Sequence, residues 1–150
     1  MHPRLAEYRT LAKGLMAAID SGEKAEAVNK KARALMDSGT AILPVFQERH
    51  PDCSAYLKTL IAALPTMGKL SLDEIERDYH ADGKLPKSPN EGCYHAKDLV
   101  VHPATVIILS QAGLKTKDAR AKATAEIAEV LAHLGQVDKK LSSPSGQTKD

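Results

Sequence analysis

Apolar residues return at helical spacing along almost the whole chain. Leu5, Tyr8, Ala12, Leu15 and Ile19 form one stripe, widened by Leu11 and Met16, and this predicts a helix from Pro3 to Ile19. Pro3 suits a first helical turn, and Asp20-Ser21-Gly22 closes the segment. A second seam, Ala25, Val28, Ala32, Leu35, Gly39, Ile42 and Phe46, predicts a helix from about Glu23 to Gln47. Ala32 and Gly39 are small enough to let a neighbouring helix come close. Pro44 lies inside that seam and removes a backbone donor, so a kink or break is expected near Thr40–Leu43.

The corner Glu48-Arg49-His50-Pro51-Asp52 leads into a third helix carrying Tyr56, Leu57, Leu60, Ile61 and Leu64, which Pro65 should end or bend. Ser71 and Glu74 have the spacing of a capping box, opening a short helix to about His80 with Leu72, Ile75 and Tyr79 on its apolar side. The stretch ADGKLPKSPN, Ala81 to Asn90, reads as a loop long enough to cover part of the molecule.

From Asn90 to Gly113 the pattern changes. Leu99, Val100, Val101, Val106, Ile107, Ile108 and Leu109 leave no wet side, as expected of a helix buried all round. Pro103 sits within it and predicts either a bend beside His102 or a helix that begins anew. After Gly113, a last helix starts at Thr116 or Lys117 and keeps Ala123, Ile127, Val130, Leu134, Val137 and Leu141 on one seam. Glu126, Glu129, Asp138 and Lys139 fall on its wet side. The predicted fold is all-α. It is an antiparallel four-helix-type bundle with one Pro-kinked helix and a short extra helix, one domain over 1–141 and a poorly ordered tail over 142–150.

Composition narrows the function classes. Apolar residues make up 43% of the chain and charged residues 27%, which suits a packed globular domain. The net charge is +2 with both signs interspersed, so no basic face is offered to nucleic acid. With one Phe, four Tyr and no Trp, a broad ring-stacking surface is not expected. No segment approaches the roughly 18 apolar residues of a membrane span. The start, MHPRLAEYRT, lacks the apolar core of an export signal. The chain is therefore either cytoplasmic, or periplasmic or secreted with its signal removed. Cys53 and Cys93 each lie near a predicted helix start and can meet at one end of the bundle. In an exporting compartment they would form a disulfide, in the cytosol buried thiols; the bridge and the exported location are preferred.

Candidate chemistry gathers on the central helix. His95, Asp98 and His102 recur at helical spacing and should share one side. Imidazole and carboxylate are ligands for zinc, copper or iron. On a regular helix the two histidines are about 10 Å apart, so one ion would need other donors, and His80 and Asp78 on the short helix are the natural ones. The candidate metal set is His80, His95, Asp98 and His102. Tyr79-His80 and Tyr94-His95 flank the loop and are the candidate lining of a small organic-ligand pocket. Haem is a weaker cofactor candidate: there is no Cys-x-x-Cys-His, although Met16, Met36, Met67, His95 and His102 could supply non-covalent ligands. Cys93, if reduced, is a further donor. His2, His50 and His133 have no visible partner and read as surface or corner residues.

Two functional readings follow, with a third behind them. The first is a small non-enzymatic binding or accessory protein for a transition metal or small ligand, its site at one end of the bundle. The second is a structural or interaction module whose histidines only pack, with a second copy or another protein as partner. A metal-dependent enzyme is third, since no nucleophile motif, phosphate loop or His-Glu-x-x-His occurs.

Overall fold

The computed structural model describes residues 1–142. Its helices are α1 (Pro3–Asp20), α2 (Ala25–Arg49), α3 (Ser54–Met67), α4 (Leu72–Ile75), α5 (Glu91–Gln111) and α6 (Lys117–Ser142), with no strand among the described residues. A 3-10 turn, Pro51–Cys53, opens α3, and a π-helical turn, Glu76–His80, continues α4. The all-α expectation holds. The predicted tail, apart from Ser142 in the last turn of α6, lies outside the described residues.

The four long helices close into a ring. α5 packs on α2 and α6, and α1 packs on the same two helices from the other side. The pairs run antiparallel. Asn29 of α2 bonds Ser110 near the end of α5, while Gly39 further along α2 lies against Leu99 earlier in α5. Likewise His2 bonds Asp138, and Thr124 bonds Asp20, at opposite ends of the α1–α6 pair. α5 is the inner member: Ala96 through Ser110 is buried without a break.

Three prolines sit inside helices, and none breaks one. α2 runs through Pro44 and α3 runs through Pro65 to Met67, so the predicted break near Thr40–Leu43 and the predicted stop at Pro65 are both absent. α5 is also continuous through Pro103. Pro103 cannot donate to the Leu99 carbonyl, which would otherwise be an orphan in the core. The Tyr8 hydroxyl donates to it instead, at 2.8 Å, from a wholly buried side chain. Gly39 permits that arrangement, since a Cβ there would collide with the same carbonyl. Burial, and secondarily the Asp98 charge, holds the Tyr8 hydroxyl pKa well above its usual value, so it stays a donor.

The ends are tied differently. At one, Arg120 donates to the carbonyls of Leu114, Ile19 and Glu23, joining the α1–α2 and α5–α6 turns. At the other, Cys53 and Cys93 form a disulfide with both residues fully buried. Asn90 caps α5 through the Cys93 amide and reaches Asp52 beside the bridge. His50 belongs to this end too. It is buried, packs on Phe46 and shares a 2.8 Å hydrogen bond with the Lys140 carbonyl, so it is not the partnerless corner residue expected.

The capping box of Ser71 and Glu74 forms as predicted. The single short helix expected beyond it splits in two: α4 ends at Ile75 and the chain widens into the π-helical turn, a form that recurs at functional sites. No helix among the described residues is long and apolar enough to cross a membrane.

Candidate metal centre

His102 and Asp98 lie one turn apart in the middle of α5, with His102 Nε2 3.5 Å from Asp98 Oδ1. Both are buried because α5 is covered all round. From α6, the antiparallel register brings Glu126 Oε1 to 2.7 Å from His102 Nδ1. The approach is out of line with the ring N–H, so it does not make a hydrogen bond. From the π-helical turn, His80 sets its ring edge-on to that of His102, centroids 4.9 Å apart and planes 76° apart. One donor atom each from His80, Asp98 and His102 lies within 4.8 Å of the others.

The polar atoms of this cluster are not satisfied by one another. Asp98 Oδ1, His102 Nδ1 and Glu126 Oε1 are all buried and without a hydrogen bond. Orphaned buried polar groups cost on the order of 1–3 kcal/mol each, more when charged, and are uncommon in folded proteins. Of the three, His102 Nδ1 and Glu126 Oε1 face each other, and Asp98 Oδ1 lies 3.5 Å from His102 Nε2. Burial pulls the His102 pKa down, but Asp98 and Glu126 outweigh it and push the value up to about 9.

A cavity of about 190 Å³ borders the cluster at His80 and Glu126; Asp98 and His102 do not line it. His80 and Glu126 form its inner wall, and Asp73, Glu76 and Lys122 stand around it. Three carboxylates against one ammonium favour a cationic visitor. Glu76 also holds His80: its Oε2 lies 2.7 Å from His80 Nδ1, leaving Nε2 as the free ring nitrogen.

Of the candidate residues, His80, Asp98 and His102 come together and His95 does not. His95 lies on the same helix but turns to α6 and stacks on His133, centroids 4.7 Å apart and planes 19° apart. Nearly parallel stacked rings do not aim their in-plane lone pairs at a common ion, and His95 adds no donor atom to the cluster. Burial and then the His133 charge hold the His95 pKa below its usual value. His133 in turn bonds Gln136, so it is not without a partner. Asp78 is also elsewhere, in a two-bond pairing with Arg77 and within 3.8 Å of Lys84 Nζ. Cys93 is committed to its disulfide. Tyr79 packs on the core edge. The Tyr94 hydroxyl, whose pKa burial pushes up to about 12 with help from Asp98 and Asp82, donates to the His80 carbonyl at 3.1 Å. Neither tyrosine lines that cavity; Tyr94 lines a separate, open hollow with Ser88, Asn90 and Glu91. The cluster stands midway along α5 on the flank of the bundle, not at its end.

Two residues escaped the sequence reading. Glu126 was assigned to the wet side of the last helix, yet its side chain is 16% exposed and turned to His102. Its position adjoins the seam residue Ile127, a flank that periodicity leaves undecided. Lys97 is wholly buried, with its ammonium 2.6 Å from the His80 carbonyl, 2.9 Å from Asp82 Oδ1 and 3.7 Å from the Tyr94 ring centre. Its place on a helix apolar all round, beside Asp98, was the available signal.

No family model matches the chain, and neither a curated protein nor a solved structure is detectably similar to it.

Proposed function

We propose that this protein binds one divalent transition-metal ion through His80, His102 and Asp98, with Glu126 at its side, as a binding protein and not an enzyme. The observation that carries the reading is the convergence of one donor atom each from His80, Asp98 and His102 within 4.8 Å of one another, beside an acidic cavity. Two imidazoles and a carboxylate suit zinc or iron(II), and copper(II) on affinity grounds. The ring geometry fits a shared ion. With a metal–nitrogen bond of about 2.1 Å, imidazole centroids at a ligand angle of roughly 100° lie about 5 Å apart, and here they are 4.9 Å apart.

The glutamates complete the arrangement. Glu76 at His80 Nδ1 and Glu126 at His102 Nδ1 stand beside those nitrogens, Glu126 out of line for a hydrogen bond, so Nε2 is the nitrogen each ring has left for an ion. The cavity borders the site at His80 and Glu126 and, at about 190 Å³, is too small for a haem macrocycle. The disulfide supports a periplasmic or secreted location.

The second reading puts a proton where the metal would be. A His102 imidazolium between Asp98 and Glu126 would make the cluster a charged packing element of an interaction module, and the upward-shifted pKa favours it. Zinc titration of untagged, chelator-treated protein separates the two. The metal reading expects one equivalent bound with micromolar or tighter affinity, and loss of binding in Asp98→Ala and His102→Ala. Absence of stoichiometric uptake at pH 7.5, with the His102 ring still protonated by NMR, would leave the proton as the occupant.

A further inference from the structure

We infer that Lys97 and Tyr94 form a latch on the main chain of His80, which makes Lys97 a positioning residue of the metal site; the inference rests on the metal reading above. Three of the four residues at the centre, Asp98, His102 and Glu126, stand on long helices that face each other in the ring. His80 alone comes from outside it, at the end of a π-helical turn and just before Asp82, a non-glycine residue at φ 64°. A ligand delivered on such a segment needs its backbone held.

Besides the turn's own backbone bonds, that backbone is held from α5 at one atom. The Lys97 ammonium and the Tyr94 hydroxyl both donate to the His80 carbonyl oxygen, at 2.6 and 3.1 Å. The ammonium is itself oriented from several sides. Asp82 Oδ1 accepts from it at 2.9 Å, the Tyr94 ring lies under it, and Asp98 Oδ1 is 3.9 Å away. Asp82 is braced in turn by the Tyr56 hydroxyl at 2.8 Å, which links the latch to α3. Lys97 thus touches the main chain of one ligand and stands beside the carboxylate of another.

Stability alone is a poor reason for this lysine. Buried charge pairs commonly do no better than apolar residues of the same shape. What a methionine could not do is hold the His80 carbonyl and face Asp98 at the same time. Outer partners of metal ligands typically change affinity by about 10- to 100-fold when removed.

The test is Lys97→Met, titrated with zinc against a chromophoric chelator and with cobalt(II) by visible absorption. The expected result is about 10- to 100-fold weaker zinc binding together with a changed cobalt(II) ligand-field spectrum. Arg120→Ala, which loosens the far end of the bundle, serves as the control and should keep both affinity and spectrum. If the wild-type protein takes up no metal, the metal reading itself fails. If the wild type binds and Lys97→Met matches it in affinity and spectrum, the latch is overturned and the metal reading stands. Should Lys97→Met not fold, Tyr94→Phe decides: it keeps the ring under Lys97 and removes the second donor. A several-fold loss of affinity supports the latch, and unchanged affinity overturns it.

Discussion

Replacing Cys53 and Cys93 together by Ala removes the one covalent tie across the fold, and its cost follows from the chain enclosed. The bridge spans a sequence separation of 40 and encloses α3, α4, the π-helical turn that carries His80 and the loop after it. Closing a loop of that length takes about 13 cal/mol/K from the unfolded chain, or about 4 kcal/mol at 25 °C. Ala leaves only a small void at each site, so the entropic part should dominate. A loss of that size is a large share of the roughly 5–15 kcal/mol by which domains are stable, yet the variant should still fold. At this chain length the melting temperature should fall by about 8–16 °C. Urea unfolding followed by circular dichroism at 222 nm measures the change. The slope with urea should also rise, since the uncrosslinked unfolded chain exposes more surface. A loss below about 1 kcal/mol with an unchanged slope would refute the reasoning, because the loop would then not be a constraint on the unfolded state.

Further expectations concern single positions. Gly39→Ala should destabilise by about 1–3 kcal/mol or more, since its Cβ would meet the Leu99 carbonyl and push α2 from α5; an unchanged urea midpoint would show that the helices can slide apart at little cost. Arg120→Ala strips donors from three carbonyls and should cost about 1–3 kcal/mol, with amide exchange rising first in the 19–23 and 112–116 turns. For the metal-free protein, the His102 pKa is raised to about 9 from an unfolded value near 6.5. Its contribution is therefore complete below about pH 6.5 and disappears as pH rises through about 9, a loss of at most a few kcal/mol. Urea midpoints at pH 6, 7.5 and 9 should decline for the wild type and flatten in His102→Gln; parallel profiles would mean that the carboxylates do not hold the proton.

The long helices were legible because each carries a wet side and a dry side. Periodicity alone located α1, α2 and α6 to within a few residues and marked α5 as the inner helix, since it has no wet side. The prolines left two outcomes open for a reason of the same kind. A proline removes a bond to the carbonyl one turn back, and whether that breaks a helix depends on what else reaches that carbonyl. For Pro103 the answer is Tyr8, distant in sequence, and nothing local announces it.

The centre divides along the same line. Asp98 and His102 lie one turn apart on one helix, so the sequence by itself determined that they share a face. The partnership of Cys53 and Cys93 was likewise within its reach, because two helix starts and two cysteines leave few arrangements. Only the tertiary structure decided which groups from other elements meet them. Antiparallel pairing of α5 and α6 brings Glu126 to His102 and sets His95 against His133, both on register alone. The packing of the π-helical turn on α5 delivers His80, and although a lysine on a helix apolar all round could be expected to be buried, its partner, the His80 carbonyl, could not be read from the sequence. Local periodicity records which way a side chain points from its own helix axis; what stands opposite is set by the relative placement of elements, which hydrophobic burial fixes without leaving a mark at the polar positions themselves.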